Sequence, residues 1–267
     1  MSSVPVLMYH HVAWDREITP KGFQRQLQWL KDNDFQCLSS EALLAHLSGT
    51  KPASKRSVVI TFDDGYADNW VYAFPLLKKY QTKAIIFVVT GCVGAANGCR
   101  PTSLEGGKIS DTRSAERAPG GFLNWDEIKA MADSGLVEIG SHTHTHRGFG
   151  EQSTYEDLAR ELRRSREEIE SHINLWSAVF AWPWGDFRNE WLPLLPATGY
   201  RMAFTTRVGP NRYGTDPFQI ERFKVQQEDA GWLKRRLWLY NRPFLAKAYS
   251  KVYGLDRRIK GVVRKHN

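Results

Sequence analysis

The sequence predicts an α/β protein whose parallel sheet is closed, or nearly closed, by helical crossovers. Two observations carry this. Short β-branched and apolar runs alternate along the chain with amphipathic segments of helical period. The acids, histidines and tryptophans that look chemical repeatedly follow those runs, as they do at the C-terminal mouth of α/β barrels. An open, doubly wound sheet is the alternative that the alternation also permits, and no internal repeat is visible.

In order, residues 4–9 read as a first strand that delivers His10 and His11. Thr19-Pro20 opens a helix, with Thr as cap and Pro in the first turn, and Phe23, Leu27 and Leu30 form its apolar face beside Trp29. A short strand over 35–38 precedes a helix starting at Ser40-Glu41 and carrying Leu43, Leu44 and Leu47. Residues 51–56 link to a central strand, 57–62. A helix over 69–80 and a strand over 84–89 follow. Residues 90–122, rich in Gly, Ser, Pro and scattered charge, show no period and read as a functional lid or a partly disordered loop. Asn124 caps a helix over 125–134 that ends at Gly135. A strand over 136–140, a long charged helix over 154–173 and a strand over 178–181 come next. A short helix over 189–197, broken by its prolines, and strands over 201–205 and 219–225 complete the pattern.

Composition is that of an ordinary soluble protein, with no apolar run long enough to span a bilayer. Charge is uneven. The chain is +8 overall, yet residues 231–267 hold eleven Lys or Arg against Asp256 alone, so residues 1–230 are slightly acidic. This suggests a catalytic domain over 1–230 and a basic, aromatic-rich helical extension over 231–267. The extension, beginning Trp232-Leu233-Lys234-Arg235-Arg236-Leu237-Trp238, suits an anionic membrane surface or a lipid-linked substrate, or simply covers the barrel. No groove-reading motif accompanies it, so nucleic acid is not the expected partner. Cys37, Cys92 and Cys99, an odd number, suit free thiols in a reducing compartment. With no secretory pattern at Met1-Ser2-Ser3-Val4-Pro5, the expected location is cytoplasmic, peripheral at the inner face of the membrane.

Two stretches carry chemistry. In Thr61-Phe62-Asp63-Asp64-Gly65-Tyr66, two adjacent carboxylates end a buried strand. Like charges there repel and are costly to desolvate, which a bound cation relieves; a solvated turn is the plainer reading. In Gly140-Ser141-His142-Thr143-His144-Thr145-His146, two histidines lie four apart after another apolar run. Extended, they would stand roughly 13 Å apart; on a helical turn they would lie about 6 Å apart and face one ion. Two His and a carboxylate make a common divalent site, for which Zn2+ is the expected ion, with Co2+, Ni2+ or Mn2+ as other occupants.

These two segments resemble the first two motifs of the polysaccharide deacetylase family, the NodB-homology carbohydrate esterases. Pro5-Val6-Leu7-Met8-Tyr9-His10 and Phe180-Ala181-Trp182-Pro183-Trp184-Gly185 resemble further family segments, so the likeness runs over about residues 4–225. The resemblance implies a distorted (β/α)7 barrel and a metal-dependent deacetylase acting on an N-acetylated glycan. It also implies Asp64, His142 and His146 as metal ligands and Asp63 as general base. Tyr66 would help hold the oxyanion through its backbone N–H. Trp125, Pro183 and Trp184 would wall the sugar groove, with core packing the plainer role for Trp125. Two family elements are missing. The third motif lacks the arginine that orients the base in many family members, for which Arg222, counted among the substrate-site residues, is a candidate substitute, with a surface role as the plainer reading. No histidine stands between His172 and His266 to serve as the late acid. His10 is the candidate acid, or a buried structural histidine. His144 reads as a supporting or exposed residue. The rival functions are a metal-independent amidohydrolase of the same superfamily and a noncatalytic glycan- or membrane-binding module.

Overall fold

The computed structural model describes residues 2–105, 108–109, 121–149, 153–174 and 178–250. The first half runs β1 (Val6–Tyr9), α1 (Pro20–Asp32), β2 (Gln36–Cys37), α2 (Ser40–Ser48), β3 (Ser57–Phe62), α3 (Phe74–Tyr80) and β4 (Ala84–Val88). A small antiparallel pair, β5 (Leu104–Glu105) and β6 (Lys108–Ile109), lies in the long loop. Then come α4 (Trp125–Asp133), β7 (Val137–Ser141), α5 (Tyr155–Ile173), β8 (Val179–Ala181), α6 (Leu194–Ala197), β9 (Met202–Phe204), β10 (Phe223–Lys224) and α7 (Ala230–Tyr240).

The main sheet is parallel throughout, in the order β10-β1-β3-β4-β7-β8-β9, with β2 beside β3. Its two ends meet through one bent segment. Ile220 bridges Phe204 of β9, and three residues later β10 pairs with β1. The architecture is therefore a distorted (β/α)7 barrel, and the open sheet is set aside. The strand expected over 219–225 is split because it serves two neighbours in turn, and the kink leaves Arg222 inside the barrel.

Alternation along the strands sorts the core. Leu7, Val58, Ile60, Ile86 and Val88 face the outer helices, whereas Val6, Val59, Ile85 and Phe87 face inward with Val179, Met202 and Phe204. The base of the barrel is crossed by α2. Ser40 bonds Glu138 at the start of β7 (2.9 Å from its backbone N), Glu41 pairs with Arg201 ahead of β9, and His46 bonds the carbonyl of Ser2 ahead of β1. The opposite mouth is left for the functional loops.

The helix expected over 69–80 opens with a π-turn, Asn69–Ala73, before α3. Pro75 explains it. With no N–H, Pro75 cannot bond the Val71 carbonyl, which accepts instead from Ser103 N (2.9 Å). That bond also ties down the loop expected to be structureless. Arg100 within it makes a forked pair with the buried Glu127 (2.7 Å each), which in turn closes the capping box of α4. Residues 110–120 of the expected lid lie outside the described residues. The helix expected over 189–197 is reduced to a 3-10 turn and the four-residue α6, as its prolines dictate.

The first part of the expected extension packs on the body of the barrel. Trp232, Leu233, Leu237 and Tyr240 of α7, and Ala246 beyond it, belong to the same buried cluster as α1 and α3. Covering the barrel, one of the readings open for the extension, holds for this part. The rest of the extension, 251–267, lies outside the described residues.

Candidate active site

At the C-terminal ends of β1, β3, β7 and β8, a cleft of about 470 Å3 is lined by His10, Asp63, Asp64, Tyr66, His142, His146 and Trp184, with Cys92, Phe122 and Thr206 among the remaining wall. Each side chain arrives there for a local reason. After β3 the chain turns through two consecutive left-handed residues, Asp64 (φ 72°) and Gly65 (φ 70°). Aspartate tolerates that conformation better than most residues, and the turn points the paired carboxylates in different directions.

Asp63 faces down into the barrel. Arg222 grips it with both ends of the guanidinium, Nη1 to Oδ1 at 2.6 Å and Nη2 to Oδ2 at 2.8 Å. Arg222 is itself secured by donating Nε to the Thr205 carbonyl (2.8 Å) and Nη1 to Thr61 Oγ1 (3.2 Å). Burial would push the Asp63 carboxyl up; Arg222 and then His142 outweigh it and hold it below the usual carboxylate range. Asp63 is therefore an ionised, oriented carboxylate. Arg222 is neither a wall of the groove nor a surface residue, because it is 1% exposed beneath Asp63.

Asp64 faces the histidines. Its Oδ1 lies 3.4 Å from His142 Nε2 and 3.2 Å from His146 Nε2. All three donor atoms lie within 4.8 Å of one another. Ligands held about 2.0–2.1 Å from one tetrahedral ion stand roughly 3.3 Å apart, so the donor set fits a zinc-like cation. The tautomer fits as well: His142 Nδ1 donates to the Ala181 carbonyl (2.8 Å), which leaves Nε2 as the lone-pair donor. Burial opposes charge on Asp64, but its contacts with His142 and His146 hold the carboxyl well below the usual range.

The two imidazoles do not converge on a helical turn, as expected, but on an irregular one. Thr143 (φ 66°) and His146 (φ 57°) are both left-handed. The turn is clamped from outside by Glu161 of α5, which accepts from His144 N (2.9 Å), Thr145 N (2.8 Å) and Thr145 Oγ1 (3.0 Å). His146 N donates inward to Thr143 Oγ1 (3.0 Å). His144 turns away from the donor set to Thr90 Oγ1 (2.9 Å), the supporting role expected.

His10 enters from the end of β1. Its Nδ1 is buried without a protein partner among the described residues. Burial lowers its pKa, against the pull of Asp63 and Asp64. Tyr66 stacks between His11 (3.8 Å) and Phe122 (5.3 Å), and burial, then the neighbouring Asp64 carboxylate, push its phenol up to about 12. His11 is held in turn by Asp68 (2.6 Å).

Trp184 stands at the lip, 71% exposed, with its ring 5.1 Å from His146. Pro183 is buried behind it rather than on the wall. Trp125 is not part of the cleft; it stacks on His172 (4.0 Å), between the start of α4 and the end of α5. Sequence reasoning missed Glu161, Phe122 and the His11–Asp68 pair. A signal existed only for the last, in the doubled histidine after β1. Cys37, Cys92 and Cys99 are free thiols, as expected.

A buried, oriented carboxylate beside a two-His, one-carboxylate donor set, at the mouth of a parallel barrel, defines a hydrolytic centre. The chain belongs to the polysaccharide deacetylase family, hydrolases of carbon–nitrogen bonds other than peptide bonds, whose family model matches residues 50–203. Bacillus subtilis (strain 168) YxkH, which carries a provisional polysaccharide deacetylase name, is 28% identical over 232 residues, covering 86% of this chain and 74% of that protein. The poly-β-1,6-N-acetyl-D-glucosamine N-deacetylase of Escherichia coli (strain K12) is 26% identical over 221 residues, 72% of this chain. The match spans only 31% of that longer protein. Among solved structures, IcaB from Ammonifex degensii shares the fold with a TM-score of 0.75 at 24% identity, covering 89% of this chain and 97% of that one.

Proposed function

We propose that this protein removes the acetyl group from N-acetylhexosamine units of a polysaccharide or lipid-linked envelope glycan, releasing acetate and leaving an amine. The observation that carries the reading is the division of labour between adjacent acids: Asp63 on Arg222, Asp64 on the two histidines. Relatives named as poly-N-acetylglucosamine N-deacetylases support the substrate class.

Asp64, His142 and His146 would hold the divalent ion, most simply Zn2+. When bound, it supplies Lewis acidity and lowers the pKa of water. Asp63, ionised and fixed by Arg222, takes the proton from the attacking water. The backbone N–H of Tyr66 is assigned to the developing oxyanion. His10, the remaining imidazole on the cleft wall among the described residues, is assigned to the departing amine. Trp184, with Tyr66 and Phe122, offers aromatic faces to the sugar rings.

The test is acetate release from N-acetylated oligosaccharides and extracted envelope glycolipids, with metal stripped and restored, beside Asp63→Asn. The expected outcome is release that needs metal and falls by about 10²–10⁴-fold in Asp63→Asn, the usual worth of a general base. Metal-independent release, or full activity in the variant, overturns the assignment.

A further inference from the structure

A groove of about 840 Å3 lies apart from the catalytic cleft. It lies where α7 and the following helical residues 243–250 meet α1 and the entries to β1, β2 and β3, since Ser2, Phe35, Lys55 and Arg56 line it. Those are the N-terminal ends of strands whose C-terminal ends carry the site. The groove is therefore on the opposite end of the barrel from the cleft.

Its chemistry is unlike the rest of the surface. Trp238 (54% exposed), Phe244 (86%) and Leu245 (41%) present apolar side chains to solvent within one short stretch. Such clustering is unusual for a surface with nothing to meet. Around them the lining supplies Lys55, Lys234 and Arg242 and no acidic residue. Residues 231–250 hold five Lys or Arg and no Asp or Glu. Arg242 lies over the Trp238 ring, 4.1 Å from its centroid, so the indole and the cation are presented together. Arg56, also in the lining, is paired with the exposed Asp34 and contributes less.

We infer that this face docks on an anionic lipid bilayer, with Trp238, Phe244 and Leu245 entering the headgroup boundary and Lys55, Lys234 and Arg242 meeting lipid phosphates. Charge complementarity selects this occupant. A purely apolar groove would suit another protein equally well, but an exposed aromatic cluster ringed by unopposed cations matches a surface that is apolar below and negative above. No helix among the described residues is long and apolar enough to cross a membrane, so the contact is peripheral. Because the groove and cleft lie at opposite ends of the barrel, docking leaves the cleft open to a glycan on the aqueous side. The inference is independent of the proposed reaction.

The test is co-sedimentation of the full chain with vesicles of phosphatidylcholine alone and vesicles containing phosphatidylglycerol. Binding is expected to the anionic vesicles only and to weaken as salt shortens the roughly 10 Å screening length of 0.1 M electrolyte. Phe244→Ser should weaken it about tenfold or more, the worth of burying one such side chain. Lys234→Glu should weaken it at least roughly fivefold, the scale of one surface charge. Circular dichroism and acetate release from a soluble substrate should be unchanged in Phe244→Ser. Equal binding to both vesicles, no binding, or binding insensitive to Phe244→Ser overturns the inference. A dimer by light scattering that Phe244→Ser dissociates also overturns it, and assigns the groove to a second copy.

Discussion

Asp63 and Asp64 are adjacent in the chain yet live in different electrostatic worlds. The left-handed Asp64–Gly65 turn sends one to a guanidinium inside the barrel and the other to two imidazoles in the cleft. Burying one member of an ion pair alone is strongly unfavourable, so Arg222→Met should destabilise the fold by about 3–5 kcal/mol, measured by denaturant unfolding. The kinetic effect has a definite sign. Arg222 is what keeps the Asp63 carboxyl below its ordinary range against burial, so its loss raises that pKa. The base then stays protonated to higher pH, and the acid limb of kcat/KM should move upward. A profile that keeps its acid limb while losing only stability would reduce Arg222 to a packing role. The family resemblance offered Arg222 as the residue orienting the base, but no local pattern could show the contact, because 159 residues separate Arg222 from Asp63.

At the scale of elements, the site depends on irregular pieces held by regular ones. The turn from His142 to His146 follows β7 but takes its shape from α5, through the three bonds to Glu161. Glu161→Ala removes an acceptor from two backbone N–H groups and one hydroxyl, at about 1.5–3 kcal/mol for each bond to a charged group and less where it is exposed. The turn should loosen, with a tenfold or greater loss of metal affinity by competition with a chelator and little change in overall helicity. Unchanged affinity would place the clamp outside the metal site. Helix caps were legible here, since Thr19 and Asn124 both cap as their residue types suggest. The turn was not. Its two left-handed residues are a threonine and a histidine, neither of which announces that conformation as glycine does.

For the whole molecule, the consequential finding is that α7 closes the same core as α1. Leu237→Ala should cost about 2–5 kcal/mol, the usual range for emptying a buried leucine site. That lowers Tm by roughly 5–15 °C for a chain of this size. A tail that merely decorated the barrel would leave Tm unmoved. Composition could not reveal this, because a basic helix that packs with one face and one that only meets solvent have the same charge count. The sequence by itself determined the strand and helix order, the α/β class and the Asp-Asp and His-His pair, since these follow from local periodicity, caps and a spacing of a few residues; the barrel was implied only by the family resemblance. Tertiary structure alone decided where Trp125 went, whether Arg222 reaches Asp63 or the surface, how the sheet closes through Ile220 and Phe223, and which end of the barrel carries the apolar groove. Those outcomes depend on contacts between segments up to two hundred residues apart, and a local pattern of residues carries no information about which distant segment will lie against it.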